Sequence, residues 1–127
     1  MAQEKSYDIE VNAATQYLAD QSDEPAGRYV FAYTMTIKNT GTTAARLLSR
    51  HWIITDADNQ VQEVRGMGVV GSQPLLQPGE RFEYTSWAML RTPFGSMRGS
   101  YQMVRPNGQQ FEARIGEFAL TLPNALH

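Results

Sequence analysis

The amino-acid sequence predicts an all-β protein, an antiparallel sandwich of about seven short strands. Three observations predict it. Apolar and polar residues alternate at a period of two through segment after segment. Clusters of Gly, Pro, Asn and Asp interrupt that alternation every ~8–12 residues. No useful length carries the 3.6-residue period of a helix, and the glycines and prolines break every candidate one. Parallel pairing needs a crossover helix, and none is present.

Ser6 to Thr15 alternates Tyr7, Ile9 and Val11 against Asp8, Glu10 and Asn12, a strand with one buried face that Tyr17 and Leu18 extend. Asp20 to Gly27 is a polar, turn-rich loop. Tyr29 to Ile37 is the clearest strand: Tyr29, Phe31, Tyr33, Met35 and Ile37 share one face, and Val30, Ala32, Thr34, Thr36 and Lys38 the other. β-formers on both faces indicate a central position. Lys38-Asn39-Thr40-Gly41 turns the chain, Asn and Gly tolerating positive φ.

Ala44 to Thr55 is the next strand, with Leu48, Trp52 and Ile54 on one face and Trp52 as core plug. Arg50 falls on that same face, which requires either a sheet edge or a bulge that resets the register. Asp56-Ala57-Asp58-Asn59 closes a hairpin onto a short return strand marked by Val61 and Val64. Arg81 to Ala88 alternates with Phe82 and Tyr84 inward. Arg91 to Gly95 is a connection. Met97 to Val104 places Met97, Gly99, Tyr101 and Met103 together, and Gly99 leaves room for a large neighbour, Trp52. Pro106-Asn107-Gly108 is a hairpin signal. The last strand, Gln109 to about Leu122, directs Phe111, Ala113 and Ile115 inward, then Phe118, Leu120 and Leu122, with its phase open across Gly116-Glu117.

A chain of 127 residues is one domain, 1–127, with loosely ordered tails expected at 1–5 and 123–127. Hydrophobic residues are 42% and charged residues 19%, an ordinary globular balance. A net charge of −2 with interspersed signs gives no footprint for nucleic acid or for an anionic membrane. The absence of cysteine removes disulfides, thiolate metal sites and a thiol nucleophile. The polar N-terminus leads into no signal-peptide core, and no apolar run reaches the ~20 residues of a spanning helix. The expectation is a soluble, cytoplasmic protein, a monomer or a weak dimer formed through open strand edges.

One stretch has the look of a site. Arg65 to Gly79 packs four glycines and two prolines between strand-like segments. Gly66-Met67-Gly68-Val69-Val70-Gly71 matches G-x-G-x-x-G, but Pro74 and Pro78 forbid the helix that would direct amides at a pyrophosphate. The overlapping G-x-x-x-x-G-S lacks the lysine of a P-loop at Ser72. A helix-free glycine turn retains the option of a shallow anion nest, with Arg65, Gly66, Gly68, Gly71 and Gln73 as the candidate ligand- or partner-binding residues and Arg50 as counter-charge. His51 reads as structural or hydrogen-bonded. Asp56 and Asp58 read as turn residues rather than cation ligands. Gly95-Ser96-Met97-Arg98-Gly99 sets its serine one place early for a nucleophile elbow. Asp56 with Glu63 is the best carboxylate pair on offer, and both belong to turn and edge. No catalytic residue, metal site or cofactor is expected, and the sequence lacks the parts of an enzyme.

Several strings carry a family resemblance. Arg28-Tyr29-Val30-Phe31-Ala32-Tyr33-Thr34, Leu47-Leu48-Ser49-Arg50-His51-Trp52-Ile53-Ile54-Thr55-Asp56 and Val64-Arg65-Gly66-Met67-Gly68-Val69-Val70-Gly71-Ser72-Gln73-Pro74-Leu75 resemble the bacterial ApaG (CorD) family. So do Pro78-Gly79-Glu80, Tyr84-Thr85-Ser86, Thr92-Pro93, Gly95, Met97, Gly99, Tyr101, Met103, Phe118 and Leu120, from about Tyr7 onward and in order. Met67 and Ser72 stand where that family often has glutamates, and Trp87 where it often has glycine. The loss of two carboxylates beside the glycines weakens any cation site there. The resemblance implies an immunoglobulin/fibronectin type III-like sandwich and a phenotype in cobalt resistance and magnesium efflux. It also implies a kinship with protein-interaction modules, but no reaction. The expected role is a non-catalytic module that displays Gly66–Pro78 to a protein partner through Met67, Val69, Val70, Leu75 and Leu76. The alternative is a binder of a pyrophosphate-bearing nucleotide through the amides of Gly66, Gly68 and Gly71.

Overall fold

The computed structural model describes residues 8–123. The expected loose tails lie outside these residues apart from Pro123, as does Tyr7. Eight strands follow one another: β1 (Ile9–Tyr17), β2 (Tyr29–Asn39), β3 (Ala45–Asp56), β4 (Val61–Met67), β5 (Leu75–Leu76), β6 (Arg81–Leu90), β7 (Phe94–Val104) and β8 (Gln110–Thr121). They form an antiparallel sandwich of the immunoglobulin/fibronectin type III kind, with sheets β1-β2-β6 and β4-β3-β7-β8 and with β5 paired beside β3. The central place of β2 follows from its two β-forming faces. The strand beyond the expected seven is β5, and β4 runs on through Arg65 and Gly66 to Met67. Part of the glycine stretch is therefore sheet.

The core lies where the inward residues of both sheets interdigitate. Phe31, Tyr33, Met35 and Ile37 of β2 meet Trp52 and Ile54 of β3, Met97, Tyr101 and Met103 of β7, and Phe111, Ala113, Ile115 and Leu120 of β8, all buried. Trp52 is its hub, with ring centroids 5.3 Å from Tyr33, 6.4 Å from Tyr101 and 5.9 Å from Phe118. All three are edge-on, the arrangement that sets a positive ring edge on a negative ring face, worth ~0.5–1.5 kcal/mol per pair beyond burial. The Tyr84 and Tyr101 hydroxyls meet at 2.6 Å and tie β6 of one sheet to β7 of the other.

Two bulges decide which side chains reach that core. Leu48 is the extra residue of a bulge between Leu47 and Ser49. Ala45 and Leu47 point inward before it, and Trp52 and Ile54 after it. The expected core role of Leu48 thus passes to Leu47. Opposite Arg98, the β7–β8 register slips between Met97 and Gly99, because Met97 pairs with Phe118 and Gly99 with Ile115. That slip absorbs Gly116-Glu117 and carries the inward phase from Ile115 to Phe118.

Two glycine and asparagine expectations change meaning. Gly99 lies opposite Trp52, but a Cβ there meets the carbonyl oxygen of His51, not the indole ring. Close backbone approach makes the position glycine. Asn39 is the buried last residue of β2, and it is not among the positive-φ residues. Its amide Nδ2 donates to the carbonyls of Thr43 and Leu76, each at 2.9 Å, and its Oδ1 accepts from the Gly41 N–H at 2.9 Å. Its side chain builds the corner that its backbone was expected to turn.

Candidate functional site

The glycine stretch rises from the end of β4 as a short hairpin. Val69 N–H donates to the Ser72 carbonyl at 2.8 Å, and Ser72 N–H donates back to Val69 at 2.9 Å. The two central residues both have positive φ, Val70 at 42° and Gly71 at 81°, the mark of a type I′ turn. Glycine supplies that geometry at no steric cost. Valine does not, since a β-branched side chain collides with its own backbone there.

The hairpin is anchored firmly below its tip. Val69 is fully buried, and Leu76 nearly so. Gly68 N–H donates to the Leu48 carbonyl at 2.7 Å, and the Gln73 side chain donates to that same carbonyl at 2.8 Å. Arg46 Nη1 holds the Gln73 carbonyl at 2.8 Å, and Leu47 N–H holds Pro74 at 3.0 Å. The bulge at Leu48 turns out a carbonyl that the sheet does not use, and the loop uses it twice.

This anchoring weighs against the nucleotide reading. An anion nest needs the amides of Gly66, Gly68 and Gly71 aimed at one open spot. The Gly68 amide is spent on Leu48, Gly66 stands in the β3–β4 ladder opposite Arg50, and Gly71 lies at the turn tip. Gln73 is an anchor. Arg65 is exposed on β4, 3.5 Å from Glu63. Arg50 is not a free counter-charge for the loop: its Nη1 donates to Met67 at 3.2 Å and to Gly68 at 2.9 Å. Its guanidinium lies flat over Gly66, where an added Cβ stands 2.7 Å from it. Gly66 is thus small to let Arg50 pass, which is packing rather than phosphate chemistry.

The expected apolar patch is real but smaller. Met67, Val70 and Leu75 are 71%, 60% and 41% exposed, whereas Val69 and Leu76 are core. The remaining polar candidates are engaged locally. His51 Nε2 meets Glu63 Oε1 at 3.0 Å, and that hydrogen bond, with the nearby Arg65 and Arg98 charges, holds the Glu63 carboxyl below its usual range. Asp56 Oδ1 accepts from the Asp58 and Gln60 amides, each at 2.9 Å, and so caps the hairpin. Among the described residues no three His, Asp or Glu side chains gather as a metal site. No helix among them is long and apolar enough to cross a membrane.

A feature outside the expected residues lies along the open flank of the sandwich, between the β4 and β6 edges. Tyr33, Arg50, Trp52, Ile54, Val64 and Ala88 help to line a cleft of about 270 Å³ there. A second hollow of about 240 Å³ adjoins it, sharing Ile54, Gln62 and Met89. Trp87 is 65% exposed on its rim. The outward phase of Trp87, set by inward Phe82 and Tyr84, was the available sequence signal. Which strand edge it would face was not.

The fold recurs in known proteins. The ApaG domain family model matches residues 19–105. Protein ApaG of Thiobacillus denitrificans is 61% identical over 127 residues, covering 100% of both chains. Protein ApaG of Nitrosospira multiformis is 58% identical over the same 127 residues, again covering 100% of each. The solved structure of the ApaA protein of Bordetella pertussis superposes with a TM-score of 0.90 at 55% identity, covering 93% of this chain and 96% of that one. With a matching family model, full-length relatives above half identity and a superposable crystal structure, the chain belongs to the ApaG domain family.

Proposed function

We propose that this protein is a non-catalytic interaction module whose hairpin tip, Met67 with Val70 and Leu75, docks against a protein partner in the cytoplasm. The observation that carries the reading is Val70. A β-branched residue at φ 42° costs stability, and at 60% exposure it gains almost no burial in return. A strained, solvent-facing apolar residue on a firmly anchored turn is accounted for by a surface that covers it. The anchors through Leu48, Arg46 and Arg50 support this, because a preorganised loop loses little entropy on binding. The link to cobalt and magnesium that the family resemblance implies then runs through the partner.

A photocrosslinking amino acid at position 70 tests the reading in cells. The expected result is one dominant adduct at position 70 that is absent when the same group sits at position 109, on the far hairpin. Adducts of equal yield and identity at both positions refute it.

A further inference from the structure

The trough between β4 and β6 carries an inference separate from the hairpin tip. Trp52 and Arg50 both line it, the first with an unpartnered donor and the second with no carboxylate of the described residues paired to it. Trp52 is 2% exposed, and its indole Nε1 is the one buried side-chain polar atom among the described residues with no hydrogen-bond partner. Such orphaned donors are uncommon and costly. Arg50 lines the same trough, half-buried, with Nη1 on two carbonyls and no carboxylate of the described residues paired to it. A half-buried guanidinium without a counter-ion sits in unfavourable electrostatic balance.

The chemistry around these donors is one-signed at one end and apolar along its length. Around Arg50 the lining is Tyr33, Trp52, Ser86, Val64 and Trp87, with no acidic residue. At the far end Arg91 and Asp56 both line the hollow, and Asp56 is already occupied as the hairpin cap. From Arg50 to Asp56 the trough follows one stretch of β3, about 20 Å at the rise of a strand. It is too narrow for a folded domain and has the length of about six extended residues. Both walls are strand edges that no other strand covers among the described residues, so their main chains are open to pairing.

We propose that this trough receives an extended acidic segment of a partner protein. A carboxylate pairs with the Arg50 guanidinium, and alternate apolar side chains lie between Val61 and Val64 on one wall and Trp87 and Met89 on the other. A carboxylate accepts two parallel bonds from a guanidinium fork, and the three donors outside Nη1's two carbonyl bonds suit it. Strand addition supplies the affinity through the main chain, and the charge fixes the register.

The full chain, labelled with ¹⁵N, is titrated with six-residue peptides of alternating valine and threonine that carry an aspartate at either end. The reading is the two indole N–H signals, since the chain has two tryptophans. The expected result is saturable movement of both signals with one aspartate peptide, and binding weaker by about ten-fold or more when that aspartate becomes asparagine. Trp87→Ser, a surface change, is expected to weaken the same titration without altering the fold. Equal binding of the aspartate and asparagine peptides, or no movement at millimolar peptide, overturns the proposal. Sodium acetate that reproduces the shifts overturns it in favour of anion binding alone. Concentration-dependent broadening without peptide overturns it in favour of a second copy of this chain. Met67→Asp, at the hairpin tip and outside the trough, leaves the expected titration unchanged while lowering the adduct yield of the crosslinker at position 70, so this inference and the hairpin reading fail separately.

Discussion

Replacing Tyr84 with phenylalanine removes one half of the hydrogen bond that joins core hydroxyls of the two sheets, the 2.6 Å contact with Tyr101. Tyr101 is fully buried and Tyr84 is 6% exposed, so neither hydroxyl has ready access to water. The cost of Tyr84→Phe is the desolvation of a stranded Tyr101 hydroxyl, about 1–3 kcal/mol, rather than the small net value of a made bond. Tyr101→Phe strands a hydroxyl nearer the surface and costs less, about 1 kcal/mol. The double variant removes both polar groups and keeps both rings against Trp52 and Phe82, so it is expected near the wild type, within about 1 kcal/mol. The resulting cycle has a coupling energy of about 1–3 kcal/mol, well above the scatter of additive sites. Urea unfolding followed by tryptophan fluorescence reads it, because Trp52 packs directly on Tyr101. Additive single and double variants refute the reasoning, since they mean each hydroxyl finds another partner.

Four further outcomes follow from the same geometry. Burial raises the hydroxyls of Tyr33, Tyr84 and Tyr101 above their ordinary value. The folded form therefore keeps protons that the unfolded chain releases: stability is full below pH ~10 and falls above it, by up to ~1.4 kcal/mol per pH unit per tyrosine, a slope that alkaline urea titrations measure and that Tyr84→Phe lessens. Gly99→Ala forces a methyl into the His51 carbonyl with backbone on both sides, an expected loss of 3 kcal/mol or more, about the range of severe core overpacking. Gly116→Ala, with nothing within 4 Å, is the control and is expected within about 0.5 kcal/mol in the same urea assay. Val70→Asn relieves the left-handed valine and forms an Asn-Gly turn, raising stability by about 1 kcal/mol and Tm by a few degrees in calorimetry. Asn39→Ala removes three hydrogen bonds and strands two carbonyls and an amide, with an expected cost of about 2–3 kcal/mol in chemical unfolding.

Much of the sandwich is legible before any coordinates. The faces of β2, β6 and β7, the hairpins at Asp56–Asn59 and Pro106–Gly108, and the hub role of Trp52 all follow from alternation, turn chemistry and residue size. The choice between a sheet edge and a bulge near Arg50 is legible too, because a charge on the Trp52 face demands a reason, and the structure has a bulge just before it. Its position is not: Leu48 and Leu47 are both leucine, and which one turns inward depends on the pairing of β3 with β7. At the candidate site the structure gives several of the named residues a structural task that no local pattern shows. Gly66 makes way for a guanidinium and Gly68 spends its amide on a bulge carbonyl, contacts that cross 16 to 20 positions of sequence.

By itself, the sequence determined seven of the eight strands, most of the turns and buried faces, and the family, because each of these depends on neighbours a few residues apart. The tertiary structure decided the bulge, the occupied amides of the glycine hairpin, the strain at exposed Val70, and the trough where Arg50 has no paired carboxylate and the Trp52 N–H no acceptor among the described residues. Those properties belong to pairs of strand edges and to the gap between two sheets. No local pattern encodes which edges come to face each other, since that choice minimises the free energy of the whole packed chain.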